Sequence, residues 1–464
     1  MPTPCDSTRQ SVLFEEVFSK RVRVNFDAEA QTSDAGVLLV AAADRRLGLT
    51  DALVGEVIDP RQPGKVQHDM LELLRQRVYA IALGYEDGVD AARLASDPGL
   101  KLACERSPLQ GADLASQSTV SRFENMLTGR DVVLMGQCLE TRAVEELRRR
   151  YPRPGRVVID LDPSVDPAHG GQQGILFNGY YDTWCYLPIF GFLSVEGGES
   201  DHILFCARLR PGTAKEGRGW IPVLRRVVAH LRETYGPRLP ILVRLDGGFA
   251  SPLLLDVLEE LRLKYVVGLA NNQKLNRWAK RRLPRARAMA RKGGRAERVF
   301  DERLYQAQSW SHSRRVVLKA EAIPYPGRKL KSNPRFVVTN LRGKPERVYA
   351  TYCRRGDVEN RIKELKRDLS IDRTSCSGFL ANQLRVVMTA AAYLLFQDLR
   401  WQLRKSEHKR TQVGRLRTVL LKVSARVTES VRRVVFHLPV SYPFAELWAK
   451  AARAVGATRP APAP

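Results

Sequence analysis

Apolar positions along this chain recur first at helical spacing and then, beyond Pro152–Gly155, at strand spacing. In Val66–Leu83, residues Leu71, Leu74, Val78 and Ile81 form one stripe, which predicts an amphipathic helix. Asp87–Cys104 and Arg130–Tyr151 follow the same pattern, and Ser118-Thr119 offers hydroxyl caps for a helix over Val120–Met126. Polar turns such as Ser107–Gln117 separate them, and Phe14–Phe26 admits a strand-rich lead-in. Past residue 155, Arg156–Asp162 (RVVIDLD), Trp184–Leu193 and Ile203–Leu209 predict three strands. Gly217–Tyr235 then predicts a helix, Leu239–Asp246 a strand, Pro252–Leu263 a helix and Lys264–Leu269 a strand. Strands followed by strand–helix alternation imply a mixed α/β sheet covered on both faces. Val316–Leu341 is β-rich, with turn signals at Pro324, Pro326-Gly327 and Asn333-Pro334. Glu346–Leu369, Asn382–Leu403 and Val413–Val434 return to helix, and the Ala/Pro-rich tail Ala454–Pro464 predicts disorder. No repeat of fixed period is visible.

Composition narrows the function classes. The chain has 464 residues, enough for two to four domains at ~100–200 residues each. A hydrophobic fraction of 44% fits a folded protein, and a formal net charge of +26 points to a polyanion, with nucleic acid first. The plain alternative is charge that serves only solubility. Seven cysteines without C-x-x-C spacing argue against a zinc knuckle or a disulfide scaffold and suit reduced thiols in cytosol. The N-terminus has no apolar core of a secretory signal. The longest apolar run, Val386–Phe396, is short of the ~18–20 residues of a membrane span. The expectation is a cytoplasmic protein without a membrane partner. Arg277–Arg298 holds ten Lys/Arg and one Glu, and Arg277, Lys280, Arg281 and Arg282 within it are candidate DNA-phosphate contacts, against the reading of a solvated face.

Candidate chemistry comes from acidic residues at strand ends. Asp162 ends RVVIDLD, with Asp160 two residues earlier on the same face, and Asp246 ends LPILVRLD before Gly247-Gly248. Carboxylates at the ends of adjacent strands face the crevice where open α/β sheets hold ligands. A helix crossing that edge could add Glu359. Such a trio repels itself unless cations intervene, and its oxygen donors suit Mg²⁺ or Mn²⁺. Tyr352, Arg355, Glu359 and Lys366 fit Y-x2-R-x3-E-x6-K, whose steps of three, four and seven place all four on one helix face. That face suits a metal ligand flanked by phosphate donors, and it also suits a solvated face with internal ion pairs.

The stretches DLDPSVDPAHGGQQGILFNGYYD (160–182), CYLPIF (185–190), VRLDGGFASP (243–252) and YCRRGDVENRIKELKRDLSIDRTSCSGFLANQLR (352–385) carry a resemblance. The chain resembles the DDE transposases of bacterial insertion sequences that bear the Y-R-E-K signature, most of all the family numbered thirteen-eighty. It resembles them in arrangement from about residue 20 to about 440. The resemblance implies an RNase H-like catalytic core with Asp162, Asp246 and Glu359 as catalytic triad and metal ligands, and Asp160 as alternate for the first. It implies two Mg²⁺ ions, replaceable by Mn²⁺, and DNA contacts from Tyr352, Arg355 and Lys366 near the scissile phosphate. Ser164 stands where Thr is commoner, and Pro163 removes a backbone donor beside the catalytic strand.

The implied organisation has five parts. Residues 1–150 form a mainly helical DNA-end-binding region, 151–270 the first part of the core, and 271–345 a basic, β-rich insertion. Residues 346–405 complete the core with the Glu helix, and 406–464 form a C-terminal helical region with a disordered tail. The implied activity is cut-and-paste transposition on double-stranded DNA, at terminal inverted repeats and target, by a homodimer. A catalytically silent DNA-binding derivative and a stand-alone nuclease are the rivals. Metal-independent binding without nicking marks the first, and cleavage without strand-transfer joints the second. Trp278 and Trp310 are candidate core residues or base-stacking groups, and His169 follows the first Asp as a structural or site residue. Arg373 and Arg385 either support the active-site helix or bind phosphate.

Overall fold

Five apolar runs in this sequence are buried at nearly every position, and they become five neighbouring strands of one sheet. The computed structural model describes residues 12–17, 20–24, 28–55, 57–168, 170–198, 201–214, 219–325 and 328–457. Ahead of the sheet come a β1–β2 hairpin (Val12–Val17, Lys20–Val24), a short β3 (Gln31–Thr32) and a set of helices. These are α1 (Val37–Leu47), α2 (Leu49–Gly55), α3 (Met70–Leu83), α4 (Asp90–Leu94), α5 (Pro98–Ala103), α6 (Gln117–Met126) and α7 (Gly129–Arg150). The helix expected from Val66 begins at Met70, where the Asp69 side chain accepts from Glu72 N at 2.7 Å. The single helix expected over Asp87–Cys104 is two, because Pro98 starts a new first turn capped by Asp97.

The sheet is built from β4 (Val157–Pro163), β8 (Ile189–Val195), β9 (Ile203–Arg208), β10 (Ile241–Leu245) and β11 (Lys264–Leu269). Between β4 and β8 lies a small sheet of β5 (Asp166–Pro167), β6 (Leu176–Asn178) and β7 (Thr183–Tyr186), so the strand expected over Trp184–Leu193 is two strands in different sheets. Helices α8 (Ile221–Tyr235) and α9 (Pro252–Glu260) lead into β10 and β11. The basic run lies on α10 (Gln273–Gly293), followed by β12 (Glu297–Tyr305), β13 (Arg314–Tyr325) and β14 (Arg328–Thr339). These strands join the central sheet, whose order is β12-β13-β14-β11-β10-β4-β8-β9. β4, β10 and β11 run parallel, and β8 runs antiparallel to both β4 and β9. The β-rich segment expected within 271–345 thus extends the central sheet through the β11–β14 pairing.

The turn expected at Asn333-Pro334 is absent. Pro334 sits inside β14 opposite Ala320, where β14 has only β13 beside it, because β11 pairs with Phe336–Thr339 alone. An open side is where a strand tolerates the missing proline N–H. Pro324 lies at an irregularity near the end of β13, and Pro326-Gly327 falls outside the described residues.

The chain ends with α11 (Pro345–Cys353), α12 (Gly356–Leu369), α13 (Phe379–Gln402), α14 (Val413–Leu416) continuing as a π-helical turn to Leu421, β15 (Ala425–Ser430), β16 (Arg433–His437) and α15 (Ala445–Ala454). The helix expected over Val413–Val434 is therefore corrected. From Leu421 to Val427 burial alternates residue by residue, the period of a strand, and β15 pairs with β16 and β3. Residues 458–464 of the tail lie outside the description, and Ala454 ends a helix. Helix α13 is long and apolar enough to cross a membrane, yet 89% of its most apolar window is buried in the protein, as in a core helix. It packs against α3, α7 and β9 and joins the N-terminal helices and the sheet in one core.

Candidate active site

Parallel pairing in register sets the geometry. Residue by residue, β10 matches β4, with Arg244 beside Asp160 and Leu245 beside Leu161, so the next strand-end positions carry Asp162 and Asp246. The pair below is closed: Arg244 Nε and Nη2 donate to the Asp160 carboxylate at 2.7 and 2.6 Å, and both residues are fully buried. His202 Nε2 lies 3.7 Å from the same carboxylate. Burial opposes its charge, but His202 and Arg244 hold the Asp160 carboxyl below the ordinary value. Asp160, the alternate ligand, is thus committed to a buried ion pair, deeper on the face that Asp162 shares.

Asp162 is 9% exposed. Burial, then the charges of Asp246 and Glu359, push its carboxyl up to about 7 against the pull of Arg355. Asp246 caps the turn Gly247–Phe249 by accepting from Gly248 N at 3.0 Å. A Cβ at Gly268, on β11, would lie 2.7 Å from Gly247 N and 2.8 Å from the Tyr352 hydroxyl, so only glycine lets that strand pass beneath the turn and the phenol.

The Y-R-E-K positions do not lie on one uninterrupted helix. Tyr352 is in α11, Arg355 is the N-cap of α12, Glu359 is in its first turn and Lys366 in its last. Arg354 and Arg355 keep helical dihedrals, but the junction tightens: Arg355 N donates to Tyr352 O at 3.1 Å and Val358 N to Arg355 O at 2.9 Å. Arg355 thereby turns inward. Its Nη1 is 2.9 Å from Asp162 Oδ1 and its Nη2 3.7 Å from Glu359 Oε1, with the guanidinium 5.8 Å from the Tyr352 ring centre. Burial disfavours the Arg355 charge, but Asp162, Tyr352, Asp246 and Glu359 together raise its pKa above the ordinary value. Lys366 donates to Val165 O and lies 3.4 Å from Asp372, so it grips the loop leaving β4.

Glu364 anchors α12. It is buried, accepts from Tyr393 at 2.8 Å and Val413 N at 2.7 Å, and pairs with Arg361 and Arg400. Arg373 and Arg385 pair with Asp87, which ties the end of α12 and α13 to the N-terminal helices. Arg277, Lys280 and Arg281 stand on the exposed face of α10, and Arg282, also exposed, bonds Asp301 at 2.6 Å. Trp278 and Trp310 are buried, the first donating to Asp301 and the second against Tyr305. Exposed aromatics cluster instead at Phe177, Tyr180, Tyr181 and Trp184 in the β6–β7 hairpin, with Tyr325 exposed at the end of β13, and the run FNGYYDTW is the available signal for the cluster. His169 lies outside the described residues. Sequence reasoning also missed Asp166, which is buried, bonded by Thr374 at 3.0 Å and pushed by burial up to about 7.

Asp162, Asp246 and Glu359 are the groups that could hold divalent cations here. Their oxygen donors fit hard ions, and the Arg355 guanidinium shows that the site draws positive charge inward. A second cluster, Asp256, Glu259 and His312, brings ligand atoms within 4.8 Å of one another, but Arg314 already bonds both carboxylates, Asp256 at 2.5 Å and Glu259 at 2.9 Å.

Fold and site together define a class: a mixed α/β protein, strongly basic, with carboxylates gathered at the ends of parallel strands beneath a helix. Residues 14–460 match the family described as Transposase DDE domain group 1, and the chain belongs to it. It is a transposase of the DDE group. No curated protein matches it.

Proposed function

We propose that this transposase binds the terminal inverted repeats of an insertion sequence and catalyses cut-and-paste DNA cleavage and strand transfer at Asp162, Asp246 and Glu359. The observation that supports the reading is Arg355 at 2.9 Å from Asp162 and 3.7 Å from Glu359, with Asp246 at the end of the strand adjacent to that of Asp162. The order β9-β8-β4-β10-β11, in which β8 alone runs opposite, supports an RNase H-like core. When bound, two Mg²⁺ ions (or Mn²⁺) would stabilise the attacking and leaving oxygens of a phosphodiester.

The chain's own residues do the rest. Asp162, Asp246 and Glu359 offer the oxygen ligands. Arg355 and Tyr352 sit where a guanidinium and a phenol can meet phosphate oxygens, and Lys366 fixes the loop that follows Asp162. The exposed basic face of α10, with Arg277, Lys280, Arg281 and Arg282, offers a track for the phosphate backbone. Joining two ends requires two protomers, so a homodimer assembles on DNA, and the reaction belongs in bacterial cytoplasm.

The test is incubation of repeat-end DNA with Mg²⁺, reading nicks and strand-transfer joints on denaturing gels. Metal-dependent nicking and joining, abolished in Asp246→Ala, is the expected result. Undiminished cutting by that variant overturns the assignment, and cutting without joints reduces the protein to a nuclease.

A further inference from the structure

We infer that α6 is the helix that reads base edges in the major groove of double-stranded DNA, with Arg122 and Asn125 as its specificity-determining residues. This deepens the function proposed above and rests on it for the identity of the DNA.

Helix α6 divides cleanly. Val120, Phe123, Glu124 and Leu127 face inward, and Ser118, Ser121, Arg122 and Asn125, at the same spacing, face out. The outward stripe contains no carboxylate. The helix's one acid, Glu124, is buried and neutralised by Arg77 Nε at 2.8 Å. Among the described residues, the outward side chains bond only within their own turns. Arg122 donates to Ser118 O at 3.2 Å and Thr119 Oγ1 at 3.3 Å, and Asn125 to Ser121 O at 2.8 Å. Their hydrogen-bonding capacity toward solvent therefore remains open.

The chemistry of this stripe matches one occupant. Arg makes paired hydrogen bonds to guanine and Asn to adenine in the major groove. Serine and threonine hydroxyls suit flanking phosphates. A ten-residue helix is ~15 Å long, enough to lie in that groove. Thr119, Arg122 and Asn125 border a groove of about 580 Å³ whose far wall includes Lys65 and His68. The other long N-terminal helices present no such face: α1 and α3 are mostly buried, and α7 carries the acids Asp131 and Glu145 among its partly exposed residues.

The helix is also held in a fixed relation to the candidate active site. Arg77, which pairs with Glu124, bonds the carbonyls of Glu86 and Asp87, and the Asp87 side chain pairs with Arg373 just past α12. A base-reading element needs such rigid coupling for sequence to fix the position of the cut.

The experiment selects binders from a random-sequence duplex library with wild type, Arg122→Ala and Asn125→Ala full-length protein, then measures affinity for the wild-type consensus and a scrambled duplex. Thermal melting, expected unchanged, controls for folding, and scrambled-duplex affinity, expected to fall by less than consensus affinity, separates loss of charge from loss of base reading. The expected result is a loss of roughly 10- to 100-fold for the consensus in each variant, with relaxed selection at a guanine for Arg122 and an adenine for Asn125. Variants that select the wild-type consensus with wild-type affinity overturn the inference. So does a wild-type protein that selects no sequence, or one whose self-association, rather than DNA binding, responds to these substitutions. Mg²⁺-dependent nicking of a supercoiled plasmid is scored separately: nicking with an unchanged consensus retains the proposed function and drops α6, and an α6-dependent consensus without nicking does the reverse.

Discussion

Asp162→Asn should make the metal-free protein more stable, and by a larger margin at pH 8 than at pH 5. Burial, with Asp246 and Glu359 behind it, raises the Asp162 carboxyl from 3.8 to about 7 despite Arg355. An acid whose pKa rises on folding leaves the native state unpenalised while both states hold the proton. It costs stability increasingly as pH climbs from the unfolded value to the folded one. A shift of that size corresponds to ~4 kcal/mol once the group is fully ionised, of which ~1.5 kcal/mol is already lost at pH 5. Asparagine keeps the shape and never ionises, and Arg355 retains Glu359 as a partner. Water at the strand end screens part of the penalty, so the expected gain at pH 8 is ~1–3 kcal/mol. Thermal unfolding in EDTA at the two pH values measures it. Added Mg²⁺ should raise the melting temperature of the wild type more than that of the variant, because only the wild type keeps its full ligand set. An Asp162→Asn variant no more stable than wild type at pH 8, or stabilised equally at both pH values, would refute the claim that this carboxylate is left under-compensated.

Three further outcomes follow from the same geometry. Arg244→Met should lose ~3–5 kcal/mol by stranding Asp160 in the sheet, and the double variant Asp160→Leu/Arg244→Met should recover most of it in thermal unfolding. Because folding lowers the Asp160 pKa, the stability this pair supplies is present above about 3.8 and lost as pH falls through its folded value, the opposite sign to Asp162. Glu364→Leu should destabilise by ~3–5 kcal/mol, since Arg361 and Arg400 lose a buried partner, and should weaken cleavage by loosening α12. Arg277→Ala/Lys280→Ala/Arg281→Ala should flatten the slope of log affinity against log salt by ~0.9 for each phosphate no longer neutralised, read by fluorescence anisotropy, and an unchanged slope removes α10 from the DNA path.

The central strands were legible because covering both faces forces nearly continuous apolar runs, interrupted in ILVRL only by Arg244 and in KYVVGL only by the leading Lys264. What the sequence hid is long-range. Asp160 and Asp162 share a face of one strand, and only Arg244, on a neighbouring strand, separates an ion-pair partner from a crevice-facing acid. The break between α11 and α12 is flagged in the sequence by Gly356 alone, since Arg354 and Arg355 keep helical dihedrals and only the bonding pattern tightens. The misread C-terminal segment was decidable: Leu421, Val423, Ala425 and Val427 alternate with polar residues, but the helical run ending at Leu421 drew them into its period.

These local facts combine into one constraint on the site. The parallel β4–β10 register brings Asp162 and Asp246 to adjacent strand ends, and the closed Asp160–Arg244 pair below resists any slip, because a one-residue shift would strand two buried charges. Helix α12 is fixed from its far side by Glu364 and at its last turn by Lys366. The third carboxylate is therefore carried on a rigid element, and the remaining adjustable parts are the exposed Glu359 side chain and the Arg355 guanidinium that reaches between it and Asp162. The fold thus sets an arginine between two of these acids, and that arginine sits at a helix junction rather than mid-helix, where the tightened turn aims its guanidinium at the strand end that carries Asp162.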